Sequence, residues 1–541
     1  SLPSGVRLLG PWAGRLAEGG ERLRLMKIVP SLLDQHNALM MIDRDGNQTV
    51  LHEDPEICLH APMLVKPRPC PPALHTTVDR SQRTGRFFVQ NIYKGLEGVE
   101  QGEVKWLRVL EETSRVSPRS GGRSPYNQTF LVSSALAFSV KNFLGVVPVE
   151  EDGSAYFEAP AGKALYLQAL DEDKRLVQSM RTFVQAAPGT TRSCVGCHEY
   201  KYSATDARDF ARALVDREPK AIRPESWGSG YLDYPSMVQP VLDKHCVSCH
   251  GGEEDIAAGM DLSGGWTEHF NISYVNLTNR CETQLVAYWI SGIDCMNGTA
   301  LWSSQIFAPR AHGSGSAPLA KLLVEGHDGR LEGLSQSERD LLLAWIDSNG
   351  LYYGTWDYTE NGAAITNWQQ MKQELTGQMA EAGCLDCHGK NGKLVYFEED
   401  WVNLKQPERS RLLRAPLATE GEGLGLAWCR KREVTPDRQR IHLLWRGYAH
   451  AVQPPEQFPK VPRVVPDRSG EPVTSFASTD NSHYQAMLQT IRRARRTALA
   501  KPRVDMPGAP VQPGRCRHIL EPLVPSEPIA APLVAVPGTA N

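Results

Sequence analysis

The sequence predicts a multidomain α+β protein, in which an antiparallel β-sandwich is followed by two mainly helical domains with long loops. The chain has 541 residues, which is enough for three or four domains at about 150 residues each. Short apolar β-patterns recur between residues 87 and 191. Three Cys-x-x-Cys-His pentads follow, and helical patterns accompany the second and the third.

The β-sandwich is assigned to residues 84–192. Turn sequences rich in Gly, Asp and Pro separate its predicted strands at regular spacing, which is typical of a small antiparallel sandwich. The predicted strands are 104–110, 146–149, 155–158, 164–170 and 176–180. The sandwich runs directly into the first pentad.

The three pentads carry the chemistry of the chain. They are Cys194, Cys197 and His198; Cys246, Cys249 and His250; and Cys384, Cys387 and His388. This pattern is the attachment signature of c-type haem: two thiols reach the two vinyl-derived carbons of one porphyrin edge, and the adjacent histidine lies under the iron. A zinc half-site would need a second pair of ligands, and a redox dithiol needs no trailing histidine. We therefore expect three covalently bound haem c groups.

The pentads and their helices define the remaining domains. A Ser cap, an apolar stripe and Gly350 predict a closing helix over 334–350; further helices are predicted at 368–382 and 484–500. The last carries four arginines, expected to form a solvated face or to pair with acidic groups. The predicted divisions are an N-terminal segment 1–83, a propeller-like remnant; the first haem segment 193–233; cytochrome c-like domains 234–356 and 357–518; and a proline-rich tail 519–541.

Composition excludes several classes of protein. The chain has 59 Lys and Arg against 62 Asp and Glu, and its net charge is −3, so it has no general attraction for nucleic acid. Hydrophobic residues make up 41%, which excludes wholesale disorder. The longest uncharged apolar run, 130–140, is shorter than the ~20 residues that a membrane-spanning helix needs. Prolines interrupt the apolar tail, so we expect no membrane span.

Haem c is attached after export, so the pentads predict a periplasmic or extracellular protein. The other six cysteines can oxidise there. Pairing by proximity would join Cys58 to Cys70 and Cys281 to Cys295, leaving Cys429 with Cys516. Buried thiols, or a metal ligand at Cys58, are the alternative.

The sixth ligand of each iron separates an electron carrier from a catalyst. For the second haem His327 is the first choice, with His312, His269, Met260 and Met237 as alternatives. For the third haem His450 is preferred over His442, His483 and Met506. After the first pentad come Tyr200 and Tyr202. A tyrosinate there would lower the reduction potential and leave the opposite face of the iron available; alternatively, both rings pack on the haem edge.

The chain resembles the hydrazine synthase α-subunit family over most of residues 50–500. The similar stretches include Gly145-Val-Val-Pro-Val-Glu-Glu-Asp-Gly-Ser and the first two pentads with their flanking residues. All of the matching stretches are 54–57, 66–69, 145–157, 166–173, 192–199, 239–251, 345–349, 412–418 and 476–480. The chain departs from the family in two respects: the long N-terminal β-propeller is almost absent, and a third pentad is present.

The resemblance implies roles for two side chains. In this family the first haem is the reactive one, bound by a tyrosine four residues after the pentad histidine, which corresponds to Tyr202. The second haem is bis-histidine and relays electrons, and His327 matches its distal ligand.

Two functions are consistent with these features. The first is a triheme c-type cytochrome that transfers electrons outside the cytoplasm to redox partner proteins, such as other cytochromes, as one chain or in an oligomer. The second is a haem oxidoreductase of small nitrogen compounds, with Tyr202 as the ligand of a reactive first haem and Asp206 or Glu199 transferring protons.

Overall fold

The protein, described here as a computed structural model, divides into two compact units, residues 1–76 and 77–541. Strands and helices are labelled in chain order. The structure describes residues 7–9, 39–42, 45, 47–53, 75–113, 132–133, 140–198, 211–215, 218–251, 260–279, 307–355, 365–390, 393–394, 397, 399–418, 421, 423, 428–429, 471–472 and 476–509.

The first unit contains a three-stranded antiparallel sheet. Its strands are β1 (Arg7–Leu9), β2 (Leu39–Ile42) and β3 (Gln48–His52), in the order β1-β2-β3. These strands lie within the predicted N-terminal segment 1–83. Their assignment to a propeller-like remnant stays a prediction.

Two sheets build the β region of the second unit. The four-stranded sheet has the order β10-β4-β7-β11 and the five-stranded sheet the order β12-β6-β5-β8-β9. Both contribute to one apolar core, to which β4 supplies Phe87, β5 Val109 and β7 Phe157. The strands are β4 (Thr84–Val89), β5 (Trp106–Glu112), β6 (Lys141–Pro148), β7 (Ala155–Pro160), β8 (Leu165–Leu170), β9 (Leu176–Ser179), β10 (Thr191–Cys194), β11 (Lys220–Ala221) and β12 (Gly230–Tyr231).

The prediction of antiparallel pairing holds for the five-stranded sheet, whereas the four-stranded sheet is mixed. In the latter, β10 pairs parallel with β4 and β11 pairs parallel with β7. A parallel pair needs a long connection, and both of these pairs join strands that are far apart in the chain. Alternating side chains show which residues face a core, but not which way a distant strand runs.

Nine helices are described in the second unit. They are α1 (Gln239–His245), α2 (Val247–His250), α3 (Ile272–Asn279), α4 (Pro318–Glu325), α5 (Gln336–Asp347), α6 (Trp368–Glu381), α7 (Leu385–His388), α8 (Arg411–Arg414) and α9 (Ser482–Ala500). The short strand pairs are β13 (Gly389–Lys390) with β14 (Lys393–Leu394), and β15 (Trp428–Cys429) with β16 (Glu471–Pro472). Among the described helices, none combines the length and the apolar character needed to cross a bilayer.

The three predicted helices are all present. Helix α5 starts with the expected capping box, in which the Ser335 hydroxyl accepts from the N–H of Glu338 and the Glu338 carboxylate accepts from the N–H of Ser335. Helices α6 and α9 share one apolar core, to which they contribute Leu375 and Ile491. As predicted, two arginines of α9 pair with acidic groups: Arg492 with Glu408, and Arg493 with Glu374.

A buried ion network joins the five-stranded sheet to helix α5. Arg108 of β5 is fully buried, and its Nε lies 2.7 Å from Glu225 while its Nη1 lies 2.9 Å from Asp347 of α5. The Asp347 carboxylate also accepts from the N–H of Ser314 at 2.7 Å. Because buried charges are costly unless paired and hydrogen-bonded, this network fixes the sheet against the helical region.

Candidate haem sites

The second pentad lies at the junction of two helices. The N–H of Cys246 donates to the Leu242 carbonyl at 2.8 Å, and the N–H of His250 donates to the Cys246 carbonyl at 2.9 Å. In a helical turn, residues three and four apart lie on one face, so the two thiols and the imidazole are presented together. Burial raises the pKa of the Cys246 thiol to about 11, and neither Cys246 nor Cys249 is in a disulfide. This is the thiol state that thioether attachment requires.

The predicted sixth ligand of this site, His327, lies opposite His250. The two ring centres are 6.3 Å apart and the ring planes are inclined by 27°. Two imidazoles bound to one metal ion would have their centres about 6.2 Å apart, from a metal–nitrogen bond of about 2.0 Å and about 1.1 Å from nitrogen to ring centre on each side. The residues present therefore fit a bis-histidine haem at the second pentad.

The other candidates for this position have different surroundings. His269 lies against Glu399, with 3.1 Å between Nδ1 and Oε1. His312 packs on Phe307 with ring centres 4.2 Å apart. Met237 and Met260 pack against the apolar core of this region.

The first pentad begins inside a strand. Cys194 ends β10, and its carbonyl accepts from the N–H of Gln90 at 2.9 Å. The N–H of Cys197 donates to the carbonyl of Lys94 at 3.0 Å. Both cysteine side chains pack on the core of the β region, and burial raises the pKa of Cys197 to about 11. His198 is exposed. The pentad is thus held by backbone hydrogen bonds to a neighbouring turn, not by a helix.

A glycine permits the close approach of that turn. Gly95 has φ +85°, and a Cβ at this position would lie 2.3 Å from the carbonyl oxygen of His198. A side chain there would push the pentad away from the turn. Glu199, Tyr200, Tyr202 and Asp206 lie outside the described residues, so the ligand and proton-transfer roles assigned to them stay predictions.

The third pentad follows helix α6. The N–H of Cys384 donates to the Met379 carbonyl and that of His388 to the Cys384 carbonyl, both at 2.9 Å. The His388 ring meets Trp401 edge to face, with centres 5.5 Å apart. The surrounding chain partly removes this ring from water, which lowers the pKa of His388 although the residue keeps an exposed face. The side chain of Cys387 lies outside the described set.

The sixth position of the third site stays open among its candidates. His442 and His450 lie outside the described residues. His483 is in the first turn of α9, where its N–H donates to Asn481. Met506 is buried in the core against which Cys384 packs. The predicted disulfides also stay predictions, since only the backbone of Cys429 is described and Cys58, Cys70, Cys281, Cys295 and Cys516 lie outside.

Two neighbours of the pentads were not predicted. The guanidinium of Arg330 has Nη1 3.6 Å from the Cys249 sulfur, and Trp401 covers the His388 ring. Arg330 follows His327 by three residues, so proximity to a predicted ligand could have indicated it. No sequence signal indicates Trp401.

Comparisons with known proteins show that part of the chain is similar to known proteins. Residues 102–199 match the family model described as hydrazine synthase alpha subunit middle domain. This match spans β5 to β10 and includes the whole first pentad. The curated hydrazine synthase subunit alpha of Kuenenia stuttgartiensis is 22% identical over 316 residues, which cover 46% of this chain and 38% of that protein. The chain therefore spans less than two fifths of the length of this relative.

Among solved structures, hydrazine synthase of Kuenenia stuttgartiensis aligns at 17% identity with a TM-score of 0.35, over 51% of this chain and 44% of the other. The matched middle domain and the curated relative agree. Over this part, the chain is similar to the hydrazine synthase α-subunit family.

Proposed function

We propose that the protein is a triheme c-type cytochrome that transfers electrons in the periplasm or outside the cell. The three pentads would each hold one haem c through their cysteines and their histidine. Because haem c is attached after export, the proposal includes an extracytoplasmic location. Redox partner proteins, such as other cytochromes, would accept or supply the electrons.

The observation that carries this proposal is the facing pair His250 and His327. With a ligand on each side, the iron at the second site would have no position left for a substrate. Haem iron supplies a one-electron couple whose potential depends on its axial ligands, burial and hydrogen bonding. The chain would provide burial of the second site, because Cys246 packs against an apolar core that limits the access of water.

A second function has its own support. The family match ends at the first pentad, and the curated relative is named a hydrazine synthase subunit. The first site would then be reactive toward small nitrogen compounds, with Tyr202 as the iron ligand on one face. Asp206 or Glu199 would move protons there. In this case the second and third sites would supply that reaction with electrons.

Assembly is a further part of the proposal. The curated relative is one subunit of its enzyme by name, and the proline-rich residues 519–541 of this chain could lie extended on a neighbouring subunit. Deletion of residues 519–541 followed by measurement of the mass in solution tests this. An oligomer that becomes a monomer supports assembly through the tail. An unchanged number of subunits contradicts it.

The test of the electron-transfer proposal is a paramagnetic resonance spectrum of the purified, oxidised chain, with haem quantified per polypeptide. We expect three haems, of which the second is low-spin. The His327→Ala variant should convert one low-spin centre to high-spin and gain about one equivalent of cyanide binding. The matched control His312→Ala should keep the wild-type spectrum.

The outcomes separate the two functions. Three low-spin haems that bind neither cyanide nor nitric oxide support the carrier and exclude a reactive first site. A high-spin centre in the wild-type chain that binds nitric oxide, and whose signature is lost in Tyr202→Phe, supports the oxidoreductase. Fewer than three haems per chain contradicts the triheme proposal, and an unchanged spectrum of His327→Ala removes His327 as a ligand.

A further inference from the structure

A histidine and two glutamates meet where the regions of the second and the third pentad touch. Nδ1 of His269 lies 3.1 Å from Oε1 of Glu399 and 3.9 Å from Oε2 of Glu268. One ligand atom from each of the three residues can be chosen so that all lie within 4.8 Å of one another. Glu268 and His269 precede helix α3, whereas Glu399 begins the 3-10 helix Glu399–Trp401. The cluster is therefore assembled from segments that are far apart in the sequence.

One carboxylate of this cluster is buried with an oxygen directed at the histidine. The Glu268 side chain is 7% exposed. Its Oε1 accepts a hydrogen bond from Gln369 at 2.7 Å, and its Oε2 lies 3.9 Å from Nδ1 of His269. The nearby Arg503 does not neutralise it, because that guanidinium pairs with Asp505 and donates to main-chain carbonyls. Oε2 of this largely buried side chain therefore faces the imidazole of His269 and can serve as a metal ligand.

From this geometry we infer that Glu268, His269 and Glu399 bind one divalent transition-metal ion, and that Zn²⁺ matches the three ligands best. An imidazole with two carboxylates is a nitrogen–oxygen ligand set that Zn²⁺ accepts. Tetrahedral ligands at bond lengths of about 2.0–2.1 Å lie about 3.3 Å apart. The two distances from His269, 3.1 and 3.9 Å, bracket that value. All three ligand atoms lie within 4.8 Å of one another, so a contraction of at most about 1.5 Å between any two of them would complete the site, with water as the fourth ligand.

The neighbours of the cluster hold its ligands in place. Gln369 of α6 donates to Glu268, and the hydroxyl of Thr267 lies 3.2 Å from Oε2 of Glu399. Hydrogen bonds of this kind orient metal ligands and raise metal affinity. They also leave one oxygen of each carboxylate directed toward His269.

The bound ion would connect residues 266–270 to the short helix Glu399–Trp401, which packs near the third pentad. Residues 266–270 are already fixed to this region, because the N–H of Leu404 donates to the Trp266 carbonyl at 3.1 Å. Glu399 lies in the same short helix as Trp401, which packs on the pentad histidine His388. Zinc would therefore stiffen one wall of the third site. This inference is independent of the proposed electron transfer.

The test is zinc binding by the full chain after treatment with EDTA, measured by titration calorimetry and by metal analysis. EDTA does not remove haem iron, so the haem-loaded protein is used. We expect one equivalent of Zn²⁺ in the wild-type chain that is lost or at least roughly tenfold weaker in His269→Gln and Glu399→Gln. Glu408→Gln, in an exposed pair with Arg492, is the matched control and should bind as wild type.

Two further measurements keep the test decisive if a ligand variant folds poorly. Gln369→Ala retains all three ligands and should still weaken binding by roughly tenfold, because Glu268 loses its orienting bond. X-ray absorption at the zinc edge should show only nitrogen and oxygen neighbours. A sulfur shell would place the ion on cysteines and overturn the inference, as would the same zinc stoichiometry and affinity in the wild-type chain, His269→Gln and Glu399→Gln.

Discussion

The first and the second pentad share their chemistry but not their local structure. Cys194 ends a β-strand, and its pentad is fixed by hydrogen bonds to the turn at 90–95. Cys246 lies between two helices, and its pentad is fixed by bonds within a helical turn. The same five-residue pattern therefore adopts different backbone conformations, a strand end at the first pentad and a helical turn at the second, according to the neighbouring segments. Under the proposed haem attachment, the pattern would supply the two thiols and the histidine, and its surroundings would determine how that histidine is presented.

The two regions also differ in what faces the histidine. His250 has the His327 ring opposite it at 6.3 Å between centres, whereas His198 is exposed. A pentad histidine faced by a second histidine suits electron relay, and an exposed pentad histidine is the one to test for ligand binding. The difference is the structural basis for assigning a carrier role to the second site and for testing the first for reactivity.

The largest expected effect concerns the network that connects these two regions. Arg108→Met would leave Glu225 and Asp347 buried without their partner, which we expect to cost about 3–5 kcal/mol of unfolding free energy. Calorimetry should then show the β region and the helical region unfolding in separate transitions. Arg212→Met, which removes an exposed pair with Glu151, should leave the profile unchanged. One transition at the wild-type temperature in Arg108→Met would show that the network does not join the regions.

A second variant tests how the first pentad is held. Gly95→Ala places a methyl group against the His198 carbonyl at a positive φ, and we expect a loss of about 1–3 kcal/mol with reduced haem content at this site. Gly98→Ala is the matched control, since Gly98 also has positive φ (+76°) but no atom within 4 Å of the added Cβ. It should lose stability without losing haem. Equal haem content in both variants would mean that the turn does not position the pentad.

The smallest expected effect concerns the second region and depends on pH. Glu338 bonds to Lys244, Ser335 and His245, and these bonds lower its pKa to about 2 from an ordinary 4.5. A folded-state pKa below the unfolded value stabilises the fold above about pH 4.5, and this contribution is lost as the pH falls toward 2. Glu338→Gln should cost about 0.5–1 kcal/mol at neutral pH.

Thermal melts of wild type and Glu338→Gln between pH 6 and pH 2.5 measure this contribution. The difference in midpoint between the two proteins should shrink as the pH falls. Glu325→Gln, in an exposed pair with Lys321, is the control and should show little difference at any pH. A difference that is constant with pH would contradict the assignment.

Much of the fold could be predicted because local patterns carry it. Helix α5 follows from a Ser cap, an apolar stripe and Gly350, and the strands β5 to β9 follow from alternation between turns. The parallel pairing of β10 with β4 could not be predicted, because strand direction depends on the path of a connection that spans the whole β region. The same limit applies to Trp401, which reaches His388 only through the fold of the third region.

The sequence by itself determined the three pentads, because each consists of five consecutive residues. His327 was predicted as the partner of His250 from its sequence position and then from the resemblance, and only the tertiary structure gave the distance between the two rings. The tertiary structure alone decided that Arg108 meets Asp347 and that His269 meets Glu399. These contacts join distant parts of the chain, and a local pattern does not encode the spatial proximity of distant side chains.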